Sequence, residues 1–327
     1  KRSLSSTVSP SPAAAAEAQA LLRWKSSLLP PNSTSSSSSS PLSSWLPGAA
    51  GSVCTSWAGV TCADGENGRI TGVALQGAGL AGTLEALNLA AFPALTALNL
   101  SGNRLAGAIP TTISKLTSLV SLDLSSNRLT GGIPAALGTL PALRVLVLRN
   151  NSLGGAIPAS LGRLHALERL DLRATRLASR LPPEMGGMAS LRFFDLSVNE
   201  LSGQLPPSFA GMRKMREFSL SRNQLSGAIP PDIFSSWPDL TLLYLHYNSF
   251  TGSIPLELEK AKKLLDEAGY PVKADGTRFT VTVDYAPGSP TTKMMAEYLK
   301  PQLAKVGIDA KIRISPDFGT WAERVSN

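Results

Sequence analysis

Arginine residues recur 24 positions apart in the middle of the chain, where they could bind an anionic group together. Arg149 and Arg173 form one such pair. A guanidinium group donates two parallel hydrogen bonds to a carboxylate, so two neighbouring arginines would suit a carboxylate ligand. The alternative is that both are solvated and partly neutralised by Asp171 and Glu168, because like charges held close together repel each other. The sequence leaves both roles open.

Aromatic residues add apolar contact area to these charges. Phe193 follows Arg169 by 24 residues, and an exposed aromatic ring beside arginine is typical of binding hot spots. Tyr244 is a further aromatic residue near the end of the regular pattern. The predicted ligand-binding residues are Arg144, Arg149, Arg169, Asp171, Arg173, Arg192, Phe193, Asp195, Arg216 and Tyr244.

Catalytic and metal-binding sites are not predicted. Asp171 and Asp195 would lie on neighbouring strands of an open sheet, with no pocket to make them a general acid and base. The GAGLAG segment at 77–82 matches a dinucleotide fingerprint, but no helix opens there. The two histidines, His165 and His246, are distant in sequence from both cysteines, which disfavours zinc. We therefore expect no enzyme activity, no cofactor and no metal.

A repeat of 24 residues positions these side chains. Its units share the pattern LxxLxLxxNxLxGxIPxxLxxLxx and begin at Ile70, Leu95, Leu119, Leu143, Leu167, Leu191, Met215 and Leu240. The apolar residues two apart in LxxLxL predict a short strand with one face inward. One such strand cannot bury its apolar face alone, so successive units must stack into a solenoid with a parallel sheet. The alternate residues then face outward on the concave surface.

An asparagine follows the strand in most units. Its amide can donate to and accept from backbone groups that an inward-turning loop leaves without partners. Thr175 and Ala78 take this place in two of the units, where we expect weaker turns. The asparagines of this column are Asn103, Asn127, Asn151, Asn199, Asn223 and Asn248.

The recurring LxGxIP and asparagine resemble the leucine-rich repeat of plant extracellular proteins, over about residues 15–258. The segments AEAQALLRWKSSL, LSSW and CTSWAGVTC are similar to the N-terminal cap of plant leucine-rich-repeat receptor kinases. The resemblance implies an α/β solenoid, a right-handed superhelix. It also implies a cap in which a helix at about 15–28 and a disulfide-closed turn cover the open end of the first repeat. The low-complexity stretch STSSSSSSPLSS at 33–44 is expected to be a loop.

Cysteine spacing and glycosylation motifs bear on the compartment. Cys54 and Cys62 are close in sequence, which favours a local disulfide over two buried thiols. A disulfide implies an oxidising environment. Asn32, Asn99 and Asn150 begin Asn-x-Ser/Thr motifs and are candidate glycosylation sites. We expect an extracellular protein, secreted or at the outer face of the plasma membrane.

The repeat pattern stops after Pro255, and the composition changes there. Residues 1–255 contain 16 Arg and 4 Lys, whereas residues 256–327 contain 3 Arg and 8 Lys. Helices at 257–267 and 290–307 and strands at 278–285 and 308–314 suggest a βαβ unit. EKAKKLLDEAGYPVKADGTRFTVTVDYAP and QLAKVGIDAKIRISPDFGTWAERVS resemble part of a bacterial oligopeptide- or dipeptide-binding protein of ABC importers. A fusion, engineered or natural, and a divergent native cap both remain open.

Domain organisation and charge narrow the function classes. The predicted domains are a cap with a Ser-rich loop at 1–69, eight leucine-rich repeats at 70–258 and an α/β appendage at 259–327. The formal net charge is +8, but the basic residues are scattered, which disfavours nucleic acid as a partner. No apolar stretch approaches the roughly 18–20 residues that span a bilayer.

The resemblance implies an extracellular recognition module. The expected function is that of a receptor-like ectodomain that binds a peptide or protein on its concave face, with a leucine-rich-repeat co-receptor as a further partner. The alternative is a secreted inhibitor of cell-wall-degrading enzymes, similar to plant polygalacturonase inhibitors. Solute binding by the C-terminal segment is a third possibility, disfavoured because the lobes of such proteins are missing.

Overall fold

A computed structural model describes residues 12–28, 40–47, 53–63, 68–252, 265–285, 303–314 and 316–317, together with positions 262, 297, 300 and 301. The chain divides into two compact units, residues 1–251 and 252–327. Strands and helices are numbered in chain order in the paragraphs that follow.

The first helix of the larger unit is the predicted cap helix. α1 spans Pro12–Ser27 and buries Leu21 and Trp24. The Trp24 Nε1–H donates to the Thr83 carbonyl oxygen at 2.9 Å, which ties α1 to the first repeat. The Glu17 carboxylate is fully buried and accepts from Arg69 Nε at 2.5 Å and from the Ile70 N–H at 2.8 Å. Because a buried carboxylate needs such partners, Glu17 fixes the helix against the start of the solenoid.

The rest of the cap is a disulfide-closed turn. A 3-10 turn at Pro41–Ser44 and the short helix α2 at Val53–Ser56 precede the first strand. The predicted disulfide between Cys54 and Cys62 is confirmed, with the two Cα atoms 5.6 Å apart. Residues 33–39 of the predicted Ser-rich loop lie outside the described residues.

The repeats form the predicted parallel sheet, because each strand alternates inward leucine with outward polar residues. In the described chain this sheet holds nine strands, eight of them from the repeats, and only β1 runs antiparallel. The inward residues line up in register and are buried; one column reads Leu98, Leu122, Leu146, Leu170, Phe194, Phe218. The strands are β1 (Val60–Cys62), β2 (Ile70–Ala74), β4 (Ala97–Asn99), β6 (Ser121–Asp123), β8 (Val145–Val147), β9 (Arg169–Asp171), β11 (Phe193–Asp195), β13 (Glu217–Ser219) and β15 (Leu242–Tyr244).

A second row of short strands lies just after the asparagine column. It forms two separate lateral sheets in the described residues, and residues 152–155 between them are not a strand. The strands are β3 (Ala81–Thr83), β5 (Arg104–Ala108) and β7 (Arg128–Thr130) in one sheet, and β10 (Ala178–Arg180), β12 (Glu200–Gly203), β14 (Gln224–Ala228) and β16 (Ser249–Thr251) in the other.

The asparagine column explains where the lateral strands form. Asn127 Oδ1 accepts from the Leu105 N–H of the preceding unit at 3.0 Å, and its Nδ2 donates to the Leu100 and Leu124 carbonyl oxygens. The Thr175 hydroxyl instead lies 2.7 Å from the Leu172 carbonyl oxygen. The asparagines of this column accept from a leucine N–H of the preceding unit, as Asn127 does from Leu105. Within the described residues, no side chain at the Thr175 position accepts from the equivalent Leu153 N–H. The lateral sheet breaks at that residue.

The convex side consists of tight turns that stack on one another. A Cβ atom at Gly162 would lie 2.1 Å from the Glu184 carbonyl oxygen of the next unit, so only glycine allows this approach. The turns are the 3-10 segments Leu89–Ala91, Thr111–Lys115, Ala135–Thr139, Ala159–Arg163, Pro183–Gly187 and Pro207–Gly211, followed by helix α3 at Asp232–Ser235.

The smaller unit contains the two predicted strands. β17 spans Phe279–Tyr285 and β18 spans Ile308–Ile314, and they pair in parallel. The buried Arg278 guanidinium donates to the Val306 carbonyl oxygen at 3.0 Å and to the Asp266 carboxylate at 2.5 Å. A parallel pair requires a crossover connection. Most of both predicted helices lies outside the described residues.

Candidate ligand-binding site on the concave face

The outward rows of the concave sheet align as the repeat predicts. In one row Arg169 pairs with Phe193, and Phe193 pairs with Glu217. In the next row Asp171 pairs with Asp195. The row continues through Ser219 to Tyr244 on β15. Charged and aromatic side chains therefore meet on β9, β11, β13 and β15.

Asp171 departs from its predicted place in contact with a ligand. Its side chain is only 3% exposed, and Arg149 Nε and Arg169 Nη2 lie 3.9 and 3.6 Å from its Oδ2 atom. Its Oδ1 atom accepts from the Arg173 N–H at 3.3 Å. The two guanidinium groups cover the carboxylate, so Asp171 holds arginines in place rather than facing solvent.

The protonation of Asp171 reflects this burial. Loss of hydration raises the pKa of the Asp171 carboxyl above its ordinary value, and the Asp195 carboxylate raises it further. The Arg173 N–H, Arg149 and Arg169 act in the opposite direction without cancelling the rise in pKa. The carboxyl therefore takes up a proton more readily than an exposed aspartate.

Arg169 and a further predicted arginine, Arg144, each contact a neighbouring side chain on the sheet. The Arg169 guanidinium lies 3.6 Å from the centroid of the Phe193 ring, which is a cation–π contact. Arg144 Nη1 lies 3.1 Å from Glu168 Oε1, and both side chains are exposed. Such an exposed ion pair contributes little to stability and mainly orients the arginine.

A cavity of about 280 Å³ opens on the concave face across the units that begin at Leu167, Leu191, Met215 and Leu240. The predicted residues Arg173, Phe193, Asp195 and Tyr244 line it. Arg149 points to Asp171 instead, at 3.9 Å. Sequence reasoning paired Arg149 with Arg173 because they lie on adjacent units, but the buried carboxylate beside them separates their roles.

Glu217 and Arg222 also line this cavity and were not among the predicted residues. Glu217 occupies the same outward row as Phe193, so the repeat alignment could have identified it. Arg222 lies at a left-handed position, with φ of 56°, just before the asparagine of its unit. Its side chain lies 5.0 Å from the centroid of the Tyr247 ring. The sequence pattern does not predict that the residue just before the asparagine lines the site.

The remaining predicted arginines, Arg192 and Arg216, are exposed and adjacent. The Arg216 N–H donates to the Arg192 carbonyl oxygen at 2.9 Å, which places them on neighbouring units at the start of β11 and β13. They extend the positive charge of the concave face away from the cavity.

The glycosylation motifs differ in their surroundings. Asn150 is exposed and lines a second cavity of about 490 Å³ beside the gap in the lateral sheets. Asn99 is half-buried on β4, and its Oδ1 accepts from the Ser101 N–H at 3.1 Å and the Ser101 hydroxyl at 2.8 Å. Asn32 lies outside the described residues.

Neither metal-binding clusters nor membrane-spanning helices occur in the part of the chain that the structure describes. The described residues contain no group of three or more His, Cys, Asp or Glu side chains that could hold a metal ion. No helix in the described ranges is long and apolar enough to cross a membrane.

Family profiles match several parts of the chain. The leucine-rich-repeat N-terminal domain matches residues 14–63, and leucine-rich-repeat profiles match 93–153, 117–177 and 190–212. The profile described as bacterial extracellular solute-binding proteins, family 5 middle, matches residues 221–327, a stretch that begins inside the solenoid.

Known plant proteins are similar to the solenoid. MDIS1-interacting receptor like kinase 2 of Arabidopsis thaliana is 43% identical over 93 residues, which are 28% of this chain and 8% of that protein. The ectodomain of GASSHO1/SCHENGEN3 from the same plant, solved with CASPARIAN STRIP INTEGRITY FACTOR 2, has a TM-score of 0.60 and 27% identity. The similarity covers 83% of this chain and 32% of that one.

A further Arabidopsis structure contains receptor kinase HAESA with the peptide hormone IDA and the co-receptor SERK1. Its TM-score is 0.56 at 27% identity, covering 73% of this chain and 43% of that one. This chain thus spans less than half of each of these proteins, and the curated relative is matched over less than a tenth of its length. The solenoid is a leucine-rich-repeat array with the N-terminal cap of that family, similar to the ectodomains of plant receptor kinases.

Proposed function

We propose that this chain is an extracellular recognition module, the ectodomain or part of the ectodomain of a receptor-like protein that binds a peptide or protein on its concave face. The observation that carries the proposal is the cavity bounded by Arg173, Phe193, Asp195 and Tyr244 on a rigid sheet. The buried Leu170, Phe194 and Phe218 anchor β9, β11 and β13, so the backbone that carries most of the cavity is ordered before a ligand binds. A co-receptor of the same fold is the second partner in this proposal. The proposed role is binding without catalysis.

Capture of extracellular plant peptides by the immobilised chain tests this function. We expect the double change Arg173→Ala and Tyr244→Ala to reduce peptide retention at least tenfold, because it removes one charge and one aromatic wall of the cavity. The matched control is Arg128→Ala with Arg163→Ala, two exposed arginines on a lateral strand and a convex turn. Equal retention by all three proteins would contradict the proposal. Inhibition of polygalacturonase without peptide capture would instead favour the inhibitor function.

We further propose the domain organisation 1–69, 70–258 and 259–327, in which the last segment is an appendage without a transport role. Support comes from the division into two compact units between residues 251 and 252 and from the end of the 24-residue repeat after Pro255. Limited proteolysis followed by mass measurement tests it. A cut between residues 255 and 275 that leaves a stable N-terminal product is expected, and a stable product that continues past residue 275 would contradict it.

Glycosylation is part of the extracellular proposal. We propose Asn150 as a glycosylated position, because it is exposed on the lateral rim outside the concave cavity. Expression in plant cells and peptide mass analysis would test this. A sugar mass that survives Asn99→Gln and disappears in Asn150→Gln is expected, and the reverse pattern would contradict it.

A further inference from the structure

The concave cavity carries opposite charges at its two ends. Asp195 and Glu217 lie on β11 and β13 themselves, whereas Arg173 and Arg222 lie after the ends of their strands. The three strands concerned, β9, β11 and β13, run parallel, so these acidic residues share one end and these basic residues share the other. A ligand group with one charge would meet attraction at one end and repulsion at the other.

The spacing of these charges sets the spacing that a ligand needs. Asp195 is aligned with Asp171, and Arg173 follows Asp171 by two residues. Two residues of strand span about 6.6 Å and adjacent strands lie about 4.8 Å apart, so the Cα atoms of Asp195 and Arg173 are roughly 8 Å apart. In an extended peptide, side chains at positions i and i+2 are on one face about 6.6 Å apart, which lets one side chain lie beside each of these residues.

The walls of the cavity favour a peptide over a small ion. Phe193 is half-buried and Tyr244 is 45% exposed, so two aromatic surfaces are available to apolar atoms between the charged groups. The volume of about 280 Å³ is large enough for the side chains of two residues but small for a folded partner's helix. The Arg169 guanidinium covers one side of the Phe193 ring at 3.6 Å and keeps it in place.

We propose that this cavity binds an extended peptide segment with a positive and a negative side chain two residues apart. The positive side chain lies beside Asp195 and Glu217, and the negative one lies beside Arg173 and Arg222. This inference depends on the proposed function, because it names the class of ligand for the same site. It also separates Arg173 from Arg149, whose guanidinium is directed to the buried Asp171.

Defined peptide pools test this charge requirement. The probes are synthetic hexapeptides, acetylated and amidated so that their ends are uncharged, with neutral residues at all but two central positions. Those two positions, separated by one residue, hold Lys and Glu in either order, two Lys, two Glu or two Gln. Retention on the immobilised full-length chain is measured by mass spectrometry. We expect the mixed-charge pools to be retained at least tenfold more than the other three.

Matched variants locate the binding site. Asp195→Asn should remove the preference for lysine, and Arg173→Gln should remove the preference for glutamate. The controls are Asp123→Asn and Arg149→Gln, which change the same two rows outside the cavity and should preserve the mixed-charge preference. Circular dichroism of each variant checks that the fold is kept.

Three results would overturn the inference. Equal retention of all pools would reject the charge requirement and leave concave-face binding standing. Loss of the preference in the control variants, but not in Asp195→Asn or Arg173→Gln, would place the site elsewhere on the sheet. Retention of no pool would reject this ligand class, and the capture experiment with natural peptides would then decide the proposed function separately.

Discussion

The turns at Asn127 and Thr175 occupy equivalent places two units apart, and they are stabilised differently. Asn127 bonds its own turn and the Leu105 N–H of the preceding unit. Thr175 instead donates from its hydroxyl to the Leu172 carbonyl oxygen of its own turn. Asn199 of the next unit accepts from the backbone of this turn. The Asn199 Oδ1 atom accepts from the Thr175 N–H at 3.1 Å and the Leu177 N–H at 3.0 Å.

This difference shows how an array tolerates an irregular unit. Asn199 of the next unit accepts from the Thr175 N–H, so this buried group has a partner inside the turn. That the turn is weaker than those with asparagine stays a prediction. The effect appears one unit earlier, where Leu153 lacks the acceptor that supports the other lateral strands. The concave sheet continues across the same point because its strands pair through their own backbone.

The largest expected loss of stability comes from replacing Asn199, the asparagine that bonds the turn at Thr175, and Asn127 provides the comparison. Asn127→Ala should lower the free energy of unfolding by about 2–3 kcal/mol, because it leaves several buried backbone groups without partners. Asn199→Ala should cost roughly 1 kcal/mol more, since the buried Thr175 N–H also depends on that side chain. Urea unfolding measures both.

The exposed Asn88, which has φ of −71° and whose side chain makes no capping hydrogen bond, is the control, and Asn88→Ala should cost less than about 0.5 kcal/mol. Equal losses for Asn127→Ala and Asn199→Ala would contradict the view that the neighbour completes the turn at Thr175.

A second change should make the irregular unit regular. Thr175→Asn supplies the missing acceptor for the Leu153 N–H and should raise the free energy of unfolding by about 1 kcal/mol. Hydrogen exchange at the Leu153 amide should slow at the same time. The Leu129 amide, which already pairs with Asn151 at 3.0 Å, is the internal reference. Unchanged exchange at Leu153 would show that another cause breaks the lateral sheet.

A change in stability of similar size is expected at the left-handed backbone position just before the asparagine column. Val198 has φ of 58°, a conformation that strains a β-branched residue, whereas the equivalent Asn150 has φ of 55° and tolerates it. Val198→Asn should therefore stabilise the fold by about 1 kcal/mol, and Asn150→Val should destabilise it by a similar amount. Thermal unfolding would measure both changes. Shifts of the same sign would contradict this account.

The smallest expected effect is the pH dependence of the unfolding free energy, compared between Asp171 and the equivalent Asp123. Because the folded pKa of Asp171 is raised, the folded state binds more protons than the unfolded chain just above the ordinary pKa. The stability of the wild type relative to Asp171→Asn should therefore fall as pH rises from below that value through the raised one. The expected sign would be wrong if the relative stability rose with pH. The control is Asp123→Asn, in the same row of the unit that begins at Leu119. It makes the same change of carboxylate to amide at a residue that also accepts from a backbone N–H.

Much of the fold could be predicted from the sequence because each unit repeats the same pattern of apolar residues, asparagine and glycine. The eight concave strands follow from the period, and the Cys54–Cys62 bridge follows from the cysteine spacing. The cap helix was implied by the resemblance of residues 15–28 to leucine-rich-repeat caps. The gap at 152–155 was not predicted, because it arises from Thr175 more than 20 residues later in sequence. The burial of Asp171 and the place of Arg222 at the cavity were also missed. Both depend on side-chain directions across neighbouring units, which the outward row alone does not specify.

A crystal structure of the chain with a retained mixed-charge hexapeptide is the most direct test of the central claim. The account predicts electron density for the peptide between Phe193 and Tyr244, with its lysine beside Asp195 and its glutamate beside Arg173. Density on the convex turns, or on the concave strands before β9, would contradict it.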